Sequence, residues 1–194
     1  MKAKLKTYLD AFYAESRAHD ETQTERAACW RNLHPGSAAL IALLVRTKQA
    51  RKVLEVGTSN GYSTLWLADA VRDTGGSLRT LEIDKARKKA ARQNLRETKL
   101  EDFVRMEVCD AGEFLRDYPK YFDVVLLDAD RSQYTAYWPH LQRILTKPGS
   151  LLVVDNVLSH ADEVQAFIAL VEADKNFSSM VLDIGAGLLL ASSV

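Results

Sequence analysis

Val53-Leu-Glu-Val-Gly57-Thr-Ser-Asn-Gly61-Tyr-Ser-Thr-Leu-Trp-Leu-Ala68 decides the fold. Residues 53–56 form a short, mostly apolar run of strand length, and residues 62–72 carry apolar side chains at helical spacing. The turn between them has a glycine at each end. Strand, glycine turn and helix open a βαβ unit, and in open α/β sheets ligands bind beyond the carboxyl ends of the strands, where strand order reverses. Gly57 and Gly61 would let the backbone bend tightly and approach a ligand. Ser63, or a backbone N–H at the start of the helix, would bind a polar or anionic group. The spacing is GxxxG rather than the GxGxxG that admits a pyrophosphate. That argues against NAD or FAD and for a nucleoside ligand without a diphosphate.

Outward from this unit the chain alternates. Apolar runs at 53–56, 78–83, 103–108, 124–127 and 151–154 are separated by amphipathic stretches at 62–72, 85–97, 112–118 and 133–145. That alternation predicts parallel strands with right-handed helical crossovers and helices on both faces of the sheet. A helix over 161–173 follows, then runs at 180–184 and 188–191 around Gly185-Ala-Gly187, a closing hairpin. The expected fold is α/β: a doubly wound, mostly parallel sheet of about seven strands. Residues 1–50 add a helical segment, with one or two helices over 2–30, a break at His34-Pro35-Gly36-Ser37 and a buried helix over 38–47. With 194 residues and no Pro/Ser-rich linker, 1–194 reads as a single domain whose α/β core is 51–194.

Composition narrows the function classes. Acidic and basic residues number 26 each, so whole-molecule attraction to nucleic acid or an anionic membrane is not indicated. There is no signal-peptide pattern and no apolar stretch of spanning length, and the chain is expected to be cytoplasmic. Cys29 and Cys109 lie outside any CxxC pattern and read as reduced thiols.

Three further groups of residues carry chemistry. Glu82 ends the second strand, where a carboxylate accepts hydrogen bonds from both ribose hydroxyls. Alone it is as readily a solvated strand end; in order after the glycine turn it favours a nucleoside site. Leu126-Leu-Asp128-Ala-Asp130-Arg131 follows the fourth strand and Val153-Val-Asp155-Asn156 the fifth. Neighbouring parallel strands end on one rim, so Asp128, Asp155 and Asn156 would form an all-oxygen set suited to Mg²⁺, Mn²⁺ or Ca²⁺. The competing reading makes them helix N-caps. The basic cluster Lys85, Arg87, Lys88, Lys89 and Arg92 reads as the solvated face of a helix.

The first motif resembles that of class I methyltransferases, and more narrowly the catechol and caffeoyl-CoA O-methyltransferases, whose turn reads E-[IVL]-G-x-x-x-G-Y-S. The likeness covers roughly residues 30–194 with the motifs in order. It implies a Rossmann-like methyltransferase fold and S-adenosylmethionine as cofactor. It further implies Glu55, Gly57, Gly61 and Ser63 around the methionine part, Glu82 on the ribose, and Asp110-Ala111 against the adenine. Asp128, Asp155 and Asn156 fall on the family's metal ligands, with Asp128 also beside the cofactor and the reacting group. The resemblance implies a small phenolic or catechol-like acceptor and a homodimer.

Two departures stand out. The family usually writes D-A-D-K-x-x-Y with the lysine as candidate base; here the position is Arg131, which stays protonated and is left to stabilise a phenolate or pair with a substrate carboxylate. Proton removal would then rest on a metal, on water or on Asp130. The insertion that commonly follows the fifth strand is missing, as Asn156-Val-Leu-Ser-His160 runs almost directly into the next helix. His160 reads as loop-capping, and His19, His34 and His140 as structural. Trp66, Tyr137 and Trp138 read as core or interface, and Trp30 as a candidate lining of an acceptor pocket. Three alternatives stand beside a metal-assisted O-methyltransferase: methylation of a tRNA base, a cofactor-binding protein without methyl transfer, and, more distantly, a nicotinamide dehydrogenase.

Overall fold

The computed structural model describes residues 1–194, the side chain of Arg26 excepted. The strands are β1 (Lys52–Val56), β2 (Ser77–Glu82), β3 (Val104–Val108), β4 (Val124–Leu127), β5 (Leu151–Val154), β6 (Phe177–Leu182) and β7 (Leu188–Ser193). They form one seven-stranded sheet in the order β3-β2-β1-β4-β5-β7-β6. The first five pair in parallel, while β7 runs antiparallel to both β5 and β6, which confirms the doubly wound sheet with its closing hairpin. Strand order reverses between β1 and β4, so the crevice opens at their carboxyl ends.

Alternation along the strands explains the two layers. Val53, Leu78, Val124, Leu126 and Val153 point into a core shared with α1 (Ala3–Glu21), α2 (Pro35–Thr47), α3 (Tyr62–Thr74) and α4 (Lys85–Glu97). Their neighbours Leu54, Val56, Leu81, Val125, Leu127, Leu152 and Val154 face α5 (Ala111–Asp117), α6 (Tyr134–Ile144) and α7 (Ala161–Ala173). Both faces are covered, so the central strands are apolar almost throughout. Trp66, Tyr137 and Trp138 are buried in these layers, as the sequence predicts.

One boundary differs from expectation. His34-Pro35-Gly36-Ser37 is the start of α2 rather than a break before it: His34 is the N-cap, its Nδ1 accepting the Gly36 N–H at 3.1 Å, and Pro35 takes the first helical position. Proline there loses no hydrogen bond and has the helical φ already set.

The two glycines of the β1–α3 turn are required by contacts within the protein. Gly57 has φ +101°, and a Cβ on it would sit 1.9 Å from the carbonyl oxygen of Asp128. Gly61 has φ +90° and marks the N-cap of α3, where a Cβ would lie 2.9 Å from the Ala91 Cβ on α4. The expected closeness to a ligand is thus first a closeness of β1 to the end of β4 and of α3 to α4. Gly57→Ala combines backbone strain with overpacking and should cost about 2–5 kcal/mol in urea unfolding. An unchanged midpoint would show that the turn relaxes freely.

Candidate active site

The carboxyl ends of the parallel strands bring the sequence-selected residues onto one rim. The ladder continues a step beyond the strands: Gly57 N–H donates to Leu81 O, Asp128 N–H to Val56 O, and Asp155 N–H to Leu127 O. Glu82, Gly57, Asp128 and Asp155 therefore stand at the ends of four adjacent strands.

Glu55 lies two residues before Gly57, within β1, and is fully buried. Its Oε1 accepts from Ser63 Oγ at 2.6 Å, and its Oε2 accepts from Thr64 Oγ1 and Thr80 Oγ1, each at 2.6 Å. Glu55 and Thr80 are register partners on β1 and β2, and Ser63 and Thr64 open α3. The carboxylate thus ties two strands to the helix that carries the turn. Burial pushes its pKa up to about 7, and hydrogen bonds from Ser63, Thr64 and Thr80 only partly oppose this.

Glu82 accepts the Ser59 N–H at 2.8 Å through Oε2 and the Asp84 N–H at 3.0 Å through Oε1. These bonds fix the carboxylate at the rim and leave lone pairs on both oxygens, since an ionised carboxylate has about four acceptor sites. Asp110 is exposed and caps α5, accepting the Glu113 N–H at 2.9 Å, with Ala111 as the first residue of that helix. Here the N-cap role is realised, on the same rim.

Asp128 and Asp155 form a close acidic pair. Both carboxyl pKa values are raised, by burial in each case, with the charge of Asp128 adding to the effect on Asp155. Arg31 and Arg131 act in the opposite direction on Asp128, as does Arg131 on Asp155. Asn156 Nδ2 donates to Asp128 Oδ1 at 3.1 Å, whereas Asp155 Oδ1 is buried without a hydrogen-bond partner. Asn156 itself holds a left-handed backbone, φ +66°, a conformation that asparagine tolerates better than most residues. Neither Asp155 nor Asn156 caps a helix through its side chain; α7 starts after His160.

Arg131 is 8% exposed, and its Nε donates to Glu163 Oε2 at 2.8 Å. Glu163 sits in the first turn of α7 and was not singled out in the sequence. The expected pairing of Arg131 with a substrate carboxylate therefore meets an internal carboxylate already in place. Asp130 is exposed and caps the short 3-10 turn over Arg131–Gln133, accepting the Ser132 N–H at 3.1 Å.

The N-terminal segment closes over the glycine turn. Asp20 Oδ1 and Oδ2 accept the N–H groups of Trp30 and Arg31 at 2.6 and 2.8 Å, and Ser59 Oγ donates to Trp30 O at 2.8 Å. Arg87 departs from the solvated face expected of its cluster, whereas Lys85, Lys89 and Arg92 are exposed. It donates to Ala27 O, Cys29 O and Ser59 Oγ and lies 5.6 Å from the centre of the Trp30 ring. Trp30, expected as a candidate lining of an acceptor pocket, takes part in this latch, with the His19 ring centre 5.5 Å from its own. Cys29 and Cys109 are free thiols, as expected.

The O-methyltransferase family model matches residues 19–192. The chain belongs to that family. It is 34% identical over 131 residues to a catechol O-methyltransferase of Niastella koreensis, a match covering 66% of this chain and 58% of that one. The chain thus spans less than two thirds of that relative's length. Among solved structures, an O-methyltransferase from Bacillus cereus in complex with SAH superposes with a TM-score of 0.81 at 25% identity, covering 100% of this chain and 92% of that one. TomG, an O-methyltransferase of tomaymycin synthesis from Streptomyces achromogenes solved with SAM, gives 0.75 at 28% identity, covering 84% and 82%.

The raised pKa of Glu55 has a definite sign. Between pH 4.5 and about 7 the unfolded chain ionises while the folded one holds its proton, so stability falls over that window and levels off above it. The loss is on the order of 3 kcal/mol. Asp128 and Asp155 act in the same direction, so the informative comparison is with Glu55→Gln. Urea unfolding from pH 5 to 8 should show the variant gaining on the wild type as pH rises; parallel curves would refute the assignment.

Proposed function

We propose that the chain transfers a methyl group from S-adenosylmethionine to a hydroxyl of a small phenolic or catechol-like acceptor, with a divalent cation held by Asp128, Asp155 and Asn156. The observation that carries this reading is the shared rim. A buried carboxylate pair with one unpartnered oxygen adjoins a glycine turn and a strand-end glutamate.

The donor chemistry fits a hard cation. Two carboxylates and an amide oxygen are all-oxygen donors, and bringing two acidic groups together under burial is costly without a positive charge between them. Asn156 now turns its amide nitrogen to Asp128, and a half-turn of the amide presents Oδ1 instead. Among the described residues no three His, Cys, Asp or Glu side chains gather as a metal site, and the amide of Asn156, already against Asp128, is the third donor in this proposal. A bound divalent cation would supply Lewis acidity that lowers the pKa of an acceptor hydroxyl.

The remaining work belongs to side chains. Glu82 has lone pairs for two ribose hydroxyls while its backbone partners keep it aimed. Ser63, whose hydroxyl proton is committed to Glu55, keeps an acceptor face for the methionine ammonium. Arg131 stays protonated, so it stabilises negative charge on the acceptor oxygen rather than taking its proton. That proton passes to water or to the exposed carboxylate of Asp130. Transfer then needs only the oxygen, the methyl carbon and the sulfur in line.

A panel of catechols and phenols with S-adenosylmethionine tests this. Turnover should fall on the order of 100-fold in chelator and return with Mg²⁺. Asp155→Ala should show the same loss and weaker Mn²⁺ binding by electron paramagnetic resonance, with S-adenosylhomocysteine affinity retained. Full activity of Asp155→Ala in chelator would remove the cation from the reading. Absence of product from every acceptor, despite S-adenosylhomocysteine binding, would remove methyl transfer to this class. Arg131→Lys should add an ionisation at about pH 7–9 to the rate profile, because a buried lysine titrates where arginine does not; superimposable profiles would contradict the fixed-charge role.

A further inference from the structure

At the opposite ends of the strands, four cations line an open cleft of about 550 Å³: Lys48, Arg51, Lys52 and Lys147, together with Tyr121 and Asp123. Lys52 is the first residue of β1 and Asp123 immediately precedes β4, so the cleft lies at the amino ends of the strands. The candidate active site lies a strand length away, roughly 15 Å.

The charge here is not balanced from within. Asp123 is the single carboxylate in the lining, and its Oδ2 accepts the backbone N–H groups of Arg51 and Lys52 at 2.8 and 2.9 Å. Elsewhere arginines pair with acids, as Arg46 and Arg72 do with Asp69 and Asp73, and Arg92 and Arg96 with Glu101. Among the described residues no ion pair involves any of the four cations in the cleft.

Helix ends account for part of the cluster. Lys48 is the C-cap of α2 and donates to Gly149 O, and Arg51 donates to Gly75 O at the end of α3, where helix dipoles favour positive charge. That explanation does not reach Lys52 and Lys147. Their ammonium nitrogens lie 3.9 and 3.6 Å from the centre of the same Tyr121 ring, so like charges are gathered around one phenol. The neighbouring Lys147 and Lys52 ammonium groups hold the Tyr121 hydroxyl below the usual tyrosine range, in a field that favours negative charge.

We propose that this cleft binds a small oligophosphate anion, free or as the phosphate chain of a nucleotide. A single carboxylate would neutralise one cation and leave the others facing each other; a chain of phosphates presents several charges over the span of the cluster. Lysines act as point charges that suit phosphate without demanding a fixed bidentate geometry. The Tyr121 ring is engaged by ammonium groups, so recognition falls on the phosphates rather than on a stacked base.

Isothermal titration of the whole chain with inorganic tripolyphosphate and with a nucleoside triphosphate, at low salt, tests the assignment. The expected result is saturable one-to-one binding of both, weakened at least about tenfold in Lys52→Ala/Lys147→Ala, as loss of two charge-assisted contacts implies. The double variant should keep its S-adenosylhomocysteine affinity. Lys147 is exposed, so Lys147→Ala alone keeps the test open if the double variant does not fold. Lys85→Ala/Lys89→Ala on α4 separates this cluster from general surface charge and should bind as the wild type does. Absence of saturable heat, an equal loss in the α4 variant, or binding of the nucleotide alone would overturn the proposal.

Discussion

The crossing of Gly57 against the Asp128 carbonyl sets the geometry on which the rest of the site depends. Position 57 has no room for a side chain and a backbone that other residues rarely adopt. The constraint makes the turn after β1 and the end of β4 a single rigid unit at the point where strand order reverses. From there the ladder carries the placement outward: Asp128 N–H is held by Val56 O and Asp155 N–H by Leu127 O. The acids are thus positioned by main chain, which moves less than any side-chain prop.

Glu55 is the second fixed point, and its internal partners give it a structural role at the turn. It is enclosed by Ser63, Thr64 and Thr80 and joins β1, β2 and α3. Burying a carboxyl group is expensive, and hydroxyl partners are the adaptable way to meet that cost. Each can donate to the ionised form, and one can turn to accept from the protonated form. A lysine or arginine partner would have fixed the ionised state. The hydroxyl cage leaves Glu55 close to neutral pH, and the turn is held in either state.

The elements were legible because their signals are local. Short apolar runs between helical stretches located the five parallel strands within a residue or two, and Gly185-Ala-Gly187 marked the hairpin. Glu82, Asp128, Asp155 and Asn156 could be placed together because strand ends in this topology share a rim. What stayed hidden arises from contacts distant in the chain. Glu163 meets Arg131 across 32 residues, and Arg87 reaches Cys29 across 58. A glutamate in a first helical turn and an arginine in a basic run have ordinary local explanations, so no periodicity distinguishes them. His34-Pro35 misled for a different reason: proline stops a helix when inside it and starts one when first.

Arginine at position 131 changes the electrostatics of the acidic pair more than its shape. A lysine there would carry a proton it can give up, and its charge would vanish when it did. The guanidinium keeps its charge and opposes the rise in pKa of both Asp128 and Asp155. Glu163, about half exposed on α7, grips the Nε of the buried Arg131 side chain. The pair therefore holds a buried positive charge in place while its counter-charge sits toward solvent, where water screens it. Under the proposed function, such an arrangement would serve an acceptor oxygen that gains negative charge before methyl transfer and loses it afterwards. The cost is a weaker pull on any cation between the two aspartates. In the proposed cation site, the unpartnered Asp155 oxygen and the left-handed Asn156 would offset that loss.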